Sequence, residues 1–330
     1  MMRPPSNNVV LATTFGVERL HIEPFFFLLE TLVLTRDAEM VDSELPAEAF
    51  STLERTLVVR SDAPDVLQYM RAAYKRLRTS PPDQRDQAYD EGVIFGVGTE
   101  QWLTFNRMPI DYREDVVNTN FRRAFYGSSK LFRLSFRRNP EWCSLYGAAL
   151  CIGGRGVVLS AQSGIGKTTL ALELMARGAG FYSDEFVFIR KSDGFVSGLP
   201  RALMIRERTC NVFRDERLRT ACAAATPRSP HGDKVWDNID PGAVFGEGVF
   251  AKPAPLAAAV VLERPSASKG SCERISAALA ATEFTKRLNV DAEGFARLTT
   301  AARLLTAIPC YRIAARSLRD CADAIEALFS

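Results

Sequence analysis

The residues Ala161-Gln162-Ser163-Gly164-Ile165-Gly166-Lys167-Thr168-Thr169 carry the strongest chemical signal in the chain. They follow a short apolar run, Gly156 to Ala161, and open a strongly periodic segment. This is the Walker A arrangement with alanine at the first glycine position. Its main-chain N–H groups can converge on an anion, and the helix N-terminus adds positive potential. Lys167 would reach terminal phosphates and the Thr168 hydroxyl could coordinate Mg²⁺, while Gly164 and Gly166 permit the tight wrapping such a loop needs. A glycine-rich turn with a solvated lysine is the bland alternative, and the strand–loop–helix context argues against it.

Ser183-Asp184-Glu185 is the second signal, with Asp184 sixteen residues after Thr168 and inside an apolar run. Adjacent carboxylates on a strand point to opposite faces. One could hold a metal and the other could take a hydroxyl proton. A solvated turn pair would also account for them. Lys234 could steady phosphoryl oxygens or sit on the surface, and Arg201 could contact a phosphate or end a strand. His21 and His231 read as solvated residues, and Tyr146 as a packed strand aromatic.

The elements that must position these groups follow from the pattern. Thr56 to Arg60 predicts a strand, and a helix starts at Ser61-Asp62-Ala63-Pro64 with Val66, Leu67, Met70, Ala73 and Tyr74 at helical spacing. Residues 92–98 and 102–107 read as a strand pair, and 114–136 as a helix whose arginines face solvent. The Asn-Pro turn within 137–142 is the best boundary, giving domains 1–140 and 141–330. Residues 145–152 and 156–161 predict two strands joined at Gly153-Gly154. The helix from Lys167 closes at Arg177-Gly178, and 181–189 predicts the next strand or strand pair. Residues 202–206 read as a strand, 226–248 as a Gly/Pro-rich loop, 256–264 as a strand, 292–307 as a helix, 310–314 as a strand and 317–329 as a closing helix.

Composition narrows the classes. With 330 residues, 47% hydrophobic and 25% charged, the chain is of ordinary globular make-up. A formal charge of +3 argues against a dedicated nucleic-acid binder. Seven scattered cysteines and two histidines argue against a disulfide scaffold or a multi-histidine metal site, and suit a cytoplasmic setting. The most apolar run, 24–34, contains Glu30 and is about half the ~20 residues of a membrane span, so no membrane association is expected.

The stretch SGIGKTTLALELMARG followed by YSDEFVFI resembles the C-terminal catalytic domain of the bacterial HPr kinase/phosphorylases. It is similar also to the wider HPr-kinase-related group, which includes peptide-serine kinases of biosynthetic clusters. The likeness covers about residues 143–190. It implies an α/β fold of the HPr kinase/phosphoenolpyruvate carboxykinase type, a mixed sheet with flanking helices; the front half, which the likeness does not cover, reads from its strand and helix pattern as a smaller α/β domain before it. It implies ATP and Mg²⁺ as cofactors. Ser163, Gly164, Ile165, Gly166, Lys167, Thr168 and Thr169 would form the nucleotide cradle, with Thr168 on Mg²⁺, Asp184 as general base and Glu185 on the metal. The sequence departs from that family at Tyr146, where a histidine is common, at Ala161, and in lacking an Arg-Gly-Leu-Gly segment. These departures count against HPr as the substrate and against phosphorolysis, and leave ATP-dependent phosphorylation intact. What is expected is transfer of the γ-phosphoryl group to a hydroxyl of a peptide, a protein or a small molecule, with homo-oligomerisation left open. The alternatives are a non-catalytic ATP-binding regulatory or scaffold protein and a carboxykinase-like enzyme.

Overall fold

The structure is a computed structural model that describes residues 45–82, 89–94, 103–109, 120–227, 234–264, 271–285 and 292–329. His21, His231 and the apolar run 24–34 lie outside them. The described residues from 46 onward form one compact unit. Among the described residues no helix is long and apolar enough to cross a membrane.

The first sheet joins β1 (Ala47–Thr52), β2 (Arg55–Ser61), β3 (Arg78–Thr79), β4 (Asp90–Ile94), β5 (Leu103–Phe105) and β6 (Met108–Pro109) in the order β3-β1-β2-β4-β5-β6. β2 and β4 are parallel, as a crossover through the helix α1 (Pro64–Ala73) allows. The predicted apolar set on α1 is buried, including Val66, Leu67, Met70 and Ala73. Proline at its first turn forgoes an N–H that the helix does not use. A second helix, α2 (Asn120–Arg137), adds Leu131, Phe132 and Phe136 to the same core. Tyr74, Phe50 and Phe132 meet there with ring centroids 4.4–5.9 Å apart. Phe186, Phe188 and Leu199 reach into this cluster from further along the chain.

The second sheet is mixed and has nine strands among the described residues. Its members are β7 (Trp142–Tyr146), β8 (Ala148–Ile152), β9 (Arg155–Ala161), β10 (Gly180–Ser183), β11 (Phe186–Arg190), β12 (Phe195–Gly198), β15 (Ala254–Leu262), β16 (Ser271–Ile275) and β17 (Cys310–Ala314). A separate pair, β13 (Leu203–Arg206) and β14 (Val235–Ile239), runs antiparallel. β15 lies between the parallel strands β9 and β17. β8 and β9 form the expected hairpin, with Gly153 and Gly154 at φ 56° and 76°. Alternation along β9 sends Val157 and Leu159 to one side and Val158 to the other. On the first side pack α3 (Lys167–Ala176), the short helices α4 (Glu207–Val212), α5 (Glu216–Ala224) and α6 (Pro241–Phe245), and the closing α9 (Leu318–Glu326). The second side is covered by α7 (Ala277–Thr285) and α8 (Ala292–Thr306).

Three expectations are corrected. The run 145–152 is not one strand: it breaks at Gly147, where a Cβ would lie 2.5 Å from the Leu159 carbonyl oxygen, so β7 and β8 leave to different neighbours. The stretch 226–248 is not all loop, because Val235 and Ile239 are buried in β14 and Asp240 caps α6 by accepting from the Gly242 N–H. Asp184 and Glu185 do not lie on a strand. They occupy the bend between β10 and β11, so their separation comes from the turn and not from strand alternation.

Candidate active site

β9 ends at Ala161 and α3 begins at Lys167, so the glycine loop spans only a few residues at the carboxyl end of a central strand. Gly164 and Gly166 have φ of 87° and 119°, values a side chain would strain. A Cβ on Gly166 would meet nothing within 4 Å, so backbone conformation alone demands glycine there. Six residues of α3 are buried between the sheet and its neighbours, which fixes the loop's exit. Gly178 at φ 99° ends the element, with its N–H donating to Met175 and that of Ala179 to Leu174.

The bend carrying the carboxylates is held by Ser183. Its buried hydroxyl accepts from the N–H groups of Glu185 (3.2 Å) and Phe186 (3.0 Å), and the Glu185 carbonyl accepts from Gly147. Asp184 therefore points at the glycine loop. Lys167 Nζ donates to Asp184 Oδ1 at 2.7 Å and also to the Asp184 carbonyl, while the Thr168 hydroxyl donates to Oδ2 at 2.7 Å. The Lys167 ammonium also stands 5.8 Å from the centroid of the Tyr146 ring.

Glu185 faces Arg201, with Arg201 Nη1 2.7 Å from Glu185 Oε2. The pair is close but poorly aligned, so that oxygen is buried without a hydrogen bond. Arg201 is itself only 12% exposed. Its guanidinium donates to Ser129 of α2 at 3.3 Å and lies 4.7 Å from the Phe125 ring centroid. Burial alone would lower its pKa. The Glu185 carboxylate, with the Tyr69 and Tyr74 phenols of the α1 region, outweighs that and holds it above the ordinary arginine value. The Tyr69 phenol is pushed up mainly by its own burial.

One pocket gathers these groups. Ser163, Gly164, Gly166, Lys167, Thr168 and Thr169 line it, as do Tyr146, Asp184, Glu185 and Arg201. Ile165 packs beside the core under α3 and is not part of the lining. Lys234 is exposed, outside the lining, and gives its carbonyl to the Glu207 N–H. The pocket also contains residues that the sequence reading passed over: Phe125, Met204, Arg206, Arg208 and Thr209. A signal for two of them existed. In Leu203-Met204-Ile205-Arg206 the buried residues alternate with Met204 and Arg206, so those two share the opposite face of β13.

The lining offers hard oxygen donors, a threonine hydroxyl and two carboxylates, one with an oxygen short of a hydrogen bond. That set fits Mg²⁺, which takes few protein ligands and shares the rest with phosphates and water. Among the described residues no group of three His, Cys, Asp or Glu side chains is placed to hold a metal.

No family model matches the chain. It is similar to the HPr kinase/phosphorylase of Clostridium botulinum (strain Eklund 17B / Type B), 43% identical over 54 residues, which is 16% of this chain and 18% of that protein. It is also similar to the HPr kinase/phosphorylase of Burkholderia cenocepacia (strain HI2424), 46% identical over 56 residues and 17% of each. The match thus spans less than a fifth of these curated relatives. Among solved structures, the Hpr(Ser) kinase/phosphatase from Coxiella burnetii aligns at 14% identity and a TM-score of 0.30, covering 56% of this chain and 87% of that one. The relation to the HPr kinase/phosphorylases rests on the matches of 54 and 56 residues.

Proposed function

We propose that this HPr-kinase-related chain is a Mg²⁺- and ATP-dependent phosphotransferase acting on a hydroxyl of a peptide, a protein or a small molecule. The observation that carries the reading is the meeting of Lys167 and Thr168, consecutive at the start of α3, on the two oxygens of Asp184. On this reading the would-be phosphate cradle and the would-be carboxylate base lie side by side, which is what supports it.

The glycine-loop amides and Lys167 would hold the β- and γ-phosphates and draw charge from them. Thr168 and Glu185 would hold Mg²⁺, which supplies charge neutralisation at phosphate oxygens when bound. Phosphate oxygens compete with Asp184 for the Lys167 ammonium, so nucleotide binding would release Oδ1 to face the acceptor. The acceptor oxygen forms its bond to the γ-phosphorus as the bond to the β-bridging oxygen breaks. Its proton passes to Asp184, and ADP leaves. Recognition of the acceptor by the front half, residues 1–140, belongs to the same reading, since Phe125 of α2 lines the pocket.

Transfer of label from γ-labelled ATP to candidate peptides and hydroxylated metabolites tests it. Asp184→Asn should leave nucleotide affinity nearly intact and lower turnover by about a hundredfold or more. Full turnover in that variant removes Asp184 from the base role. ATP binding with no acceptor labelled, and none of the ATP consumed, would select the regulatory alternative.

A further inference from the structure

The charges lining the pocket do not balance. Its cationic side chains are Lys167, Arg201, Arg206 and Arg208, and its carboxylates are Asp184 and Glu185. Lys167 is paired with Asp184 and Arg201 with Glu185. Among the described residues, no acidic group lies within ion-pair distance of Arg206 or Arg208. Two exposed guanidinium groups on one wall of a small polar pocket make it a site for an anion richer in charge than the two carboxylates already there.

Arg208 is the closer of the two to the glycine loop. Its Nη2 and Nη1 lie 3.2 and 3.5 Å from where a Cβ on Gly164 would stand. The guanidinium therefore lies against the backbone of the loop, beside the amides that would face phosphate. A residue so exposed would normally wander, yet its backbone is fixed on both sides. Arg206 pairs with Val235 in the β13–β14 ladder, and the Glu207 N–H donates to the Lys234 carbonyl at 2.9 Å. Thr209, which follows Arg208, is buried and its hydroxyl meets that of Thr169 at 3.4 Å, tying α4 to α3. Phe213 anchors the end of α4 in the core. The arm that carries Arg208 is thus built into the same frame as the loop. Such preorganisation is what makes a cation effective against charge that grows during reaction.

We infer that Arg208 grips the terminal phosphate of the bound nucleotide, an arginine supplied in cis, with Arg206 adding positive potential from the pocket rim. The inference rests on the nucleotide reading above and deepens it. An arginine suits this task because its planar fork offers two parallel donors to a phosphoryl group and stays charged at every working pH. It also assigns Lys167 and Arg208 different duties. Lys167 is bonded to Asp184 at rest and must exchange partners, whereas Arg208 has no acidic partner among the described residues to give up.

Competition between a fluorescent nucleotide and either ADP or the non-hydrolysable analogue AMP-PNP, both with Mg²⁺, tests this without any knowledge of the acceptor. The unaltered chain should bind AMP-PNP more tightly than ADP. Arg208→Ala should keep the ADP affinity and erase the preference, a loss of roughly tenfold or more for AMP-PNP. Arg208→Lys should recover only part of it. Arg214→Ala, which removes another exposed arginine, one that donates to the nearby Asn211 carbonyl and lies outside the pocket lining, should change neither. A preference that survives in Arg208→Ala, an equal fall for both nucleotides, or no preference in the unaltered chain overturns the inference and leaves the cradle standing. Failure of the unaltered chain to bind either nucleotide would instead overturn the reading beneath it.

Discussion

Replacing Arg201 by methionine should be costly in a way that a second substitution repairs. With 2.7 Å between Nη1 and Oε2, the charge centres of Arg201 and Glu185 stand about 4 Å apart, which is worth about 4 kcal/mol at an effective dielectric constant of about 20. The side chains are 12% and 20% exposed, so water already screens part of this. Their alignment is also poor enough to leave Oε2 without a hydrogen bond. Removing one partner strands the other, and about 3 kcal/mol is the expected loss, at the low end for a buried pair. In a unit of this size that lowers Tm by roughly 6 °C. Glu185→Gln added to Arg201→Met removes the stranded charge and should restore at least half of the loss. Urea unfolding of the two single variants and the double variant, taken as a cycle, gives the coupling directly. A loss under about 1 kcal/mol in Arg201→Met, or a double variant no more stable than that single one, would refute the reasoning that Arg201 and Glu185 are a strongly coupled, largely buried pair.

Asp240 tests a second link, between α1 and the cap of α6. Burial alone would raise its pKa, but Lys75, the Gly242 N–H and Arg76 together hold it below the ordinary aspartate value. A depressed carboxylate contributes stability above its unfolded pKa, and that contribution is lost as pH falls through the lower folded value. Asp240→Asn, which keeps the cap, should therefore cost about 1 kcal/mol at pH 7 in thermal or urea unfolding. The difference from the unaltered chain should shrink below the ordinary aspartate pKa and disappear only below the lower folded value; a pH-independent cost would contradict it. Gly198→Ala should be unfavourable by about 1–3 kcal/mol, since its Cβ would lie 2.6 Å from Ser183 Cβ and 2.8 Å from the Tyr182 backbone. That clash falls on the strand leading into Asp184, so turnover should fall with stability; normal values of both would argue against the packing described.

The sequence was most legible where local rules act alone. The glycine loop, the hairpin at Gly153-Gly154, the Arg177-Gly178 stop and the apolar face of α1 follow from backbone geometry and helical spacing, and all stand in the structure. It was opaque where long-range contacts decide. Nothing local marks Gly147 as a strand break, because the reason is the Leu159 carbonyl in a neighbouring strand. Nothing near Arg201 announces that its carboxylate partner precedes it by sixteen residues, or that Ser129 and Phe125 come from α2. Arg206 and Arg208 escaped notice since unpaired arginines are common in any sequence, and only the fold sets these two beside the glycine loop.

Calorimetric titration of the chain with Mg·ATP, beside Lys167→Ala, addresses the central claim most directly. The account predicts saturable one-to-one binding that weakens by roughly tenfold or more when the ammonium is removed. Absence of binding to the unaltered chain, or equal affinity in the variant, would contradict it.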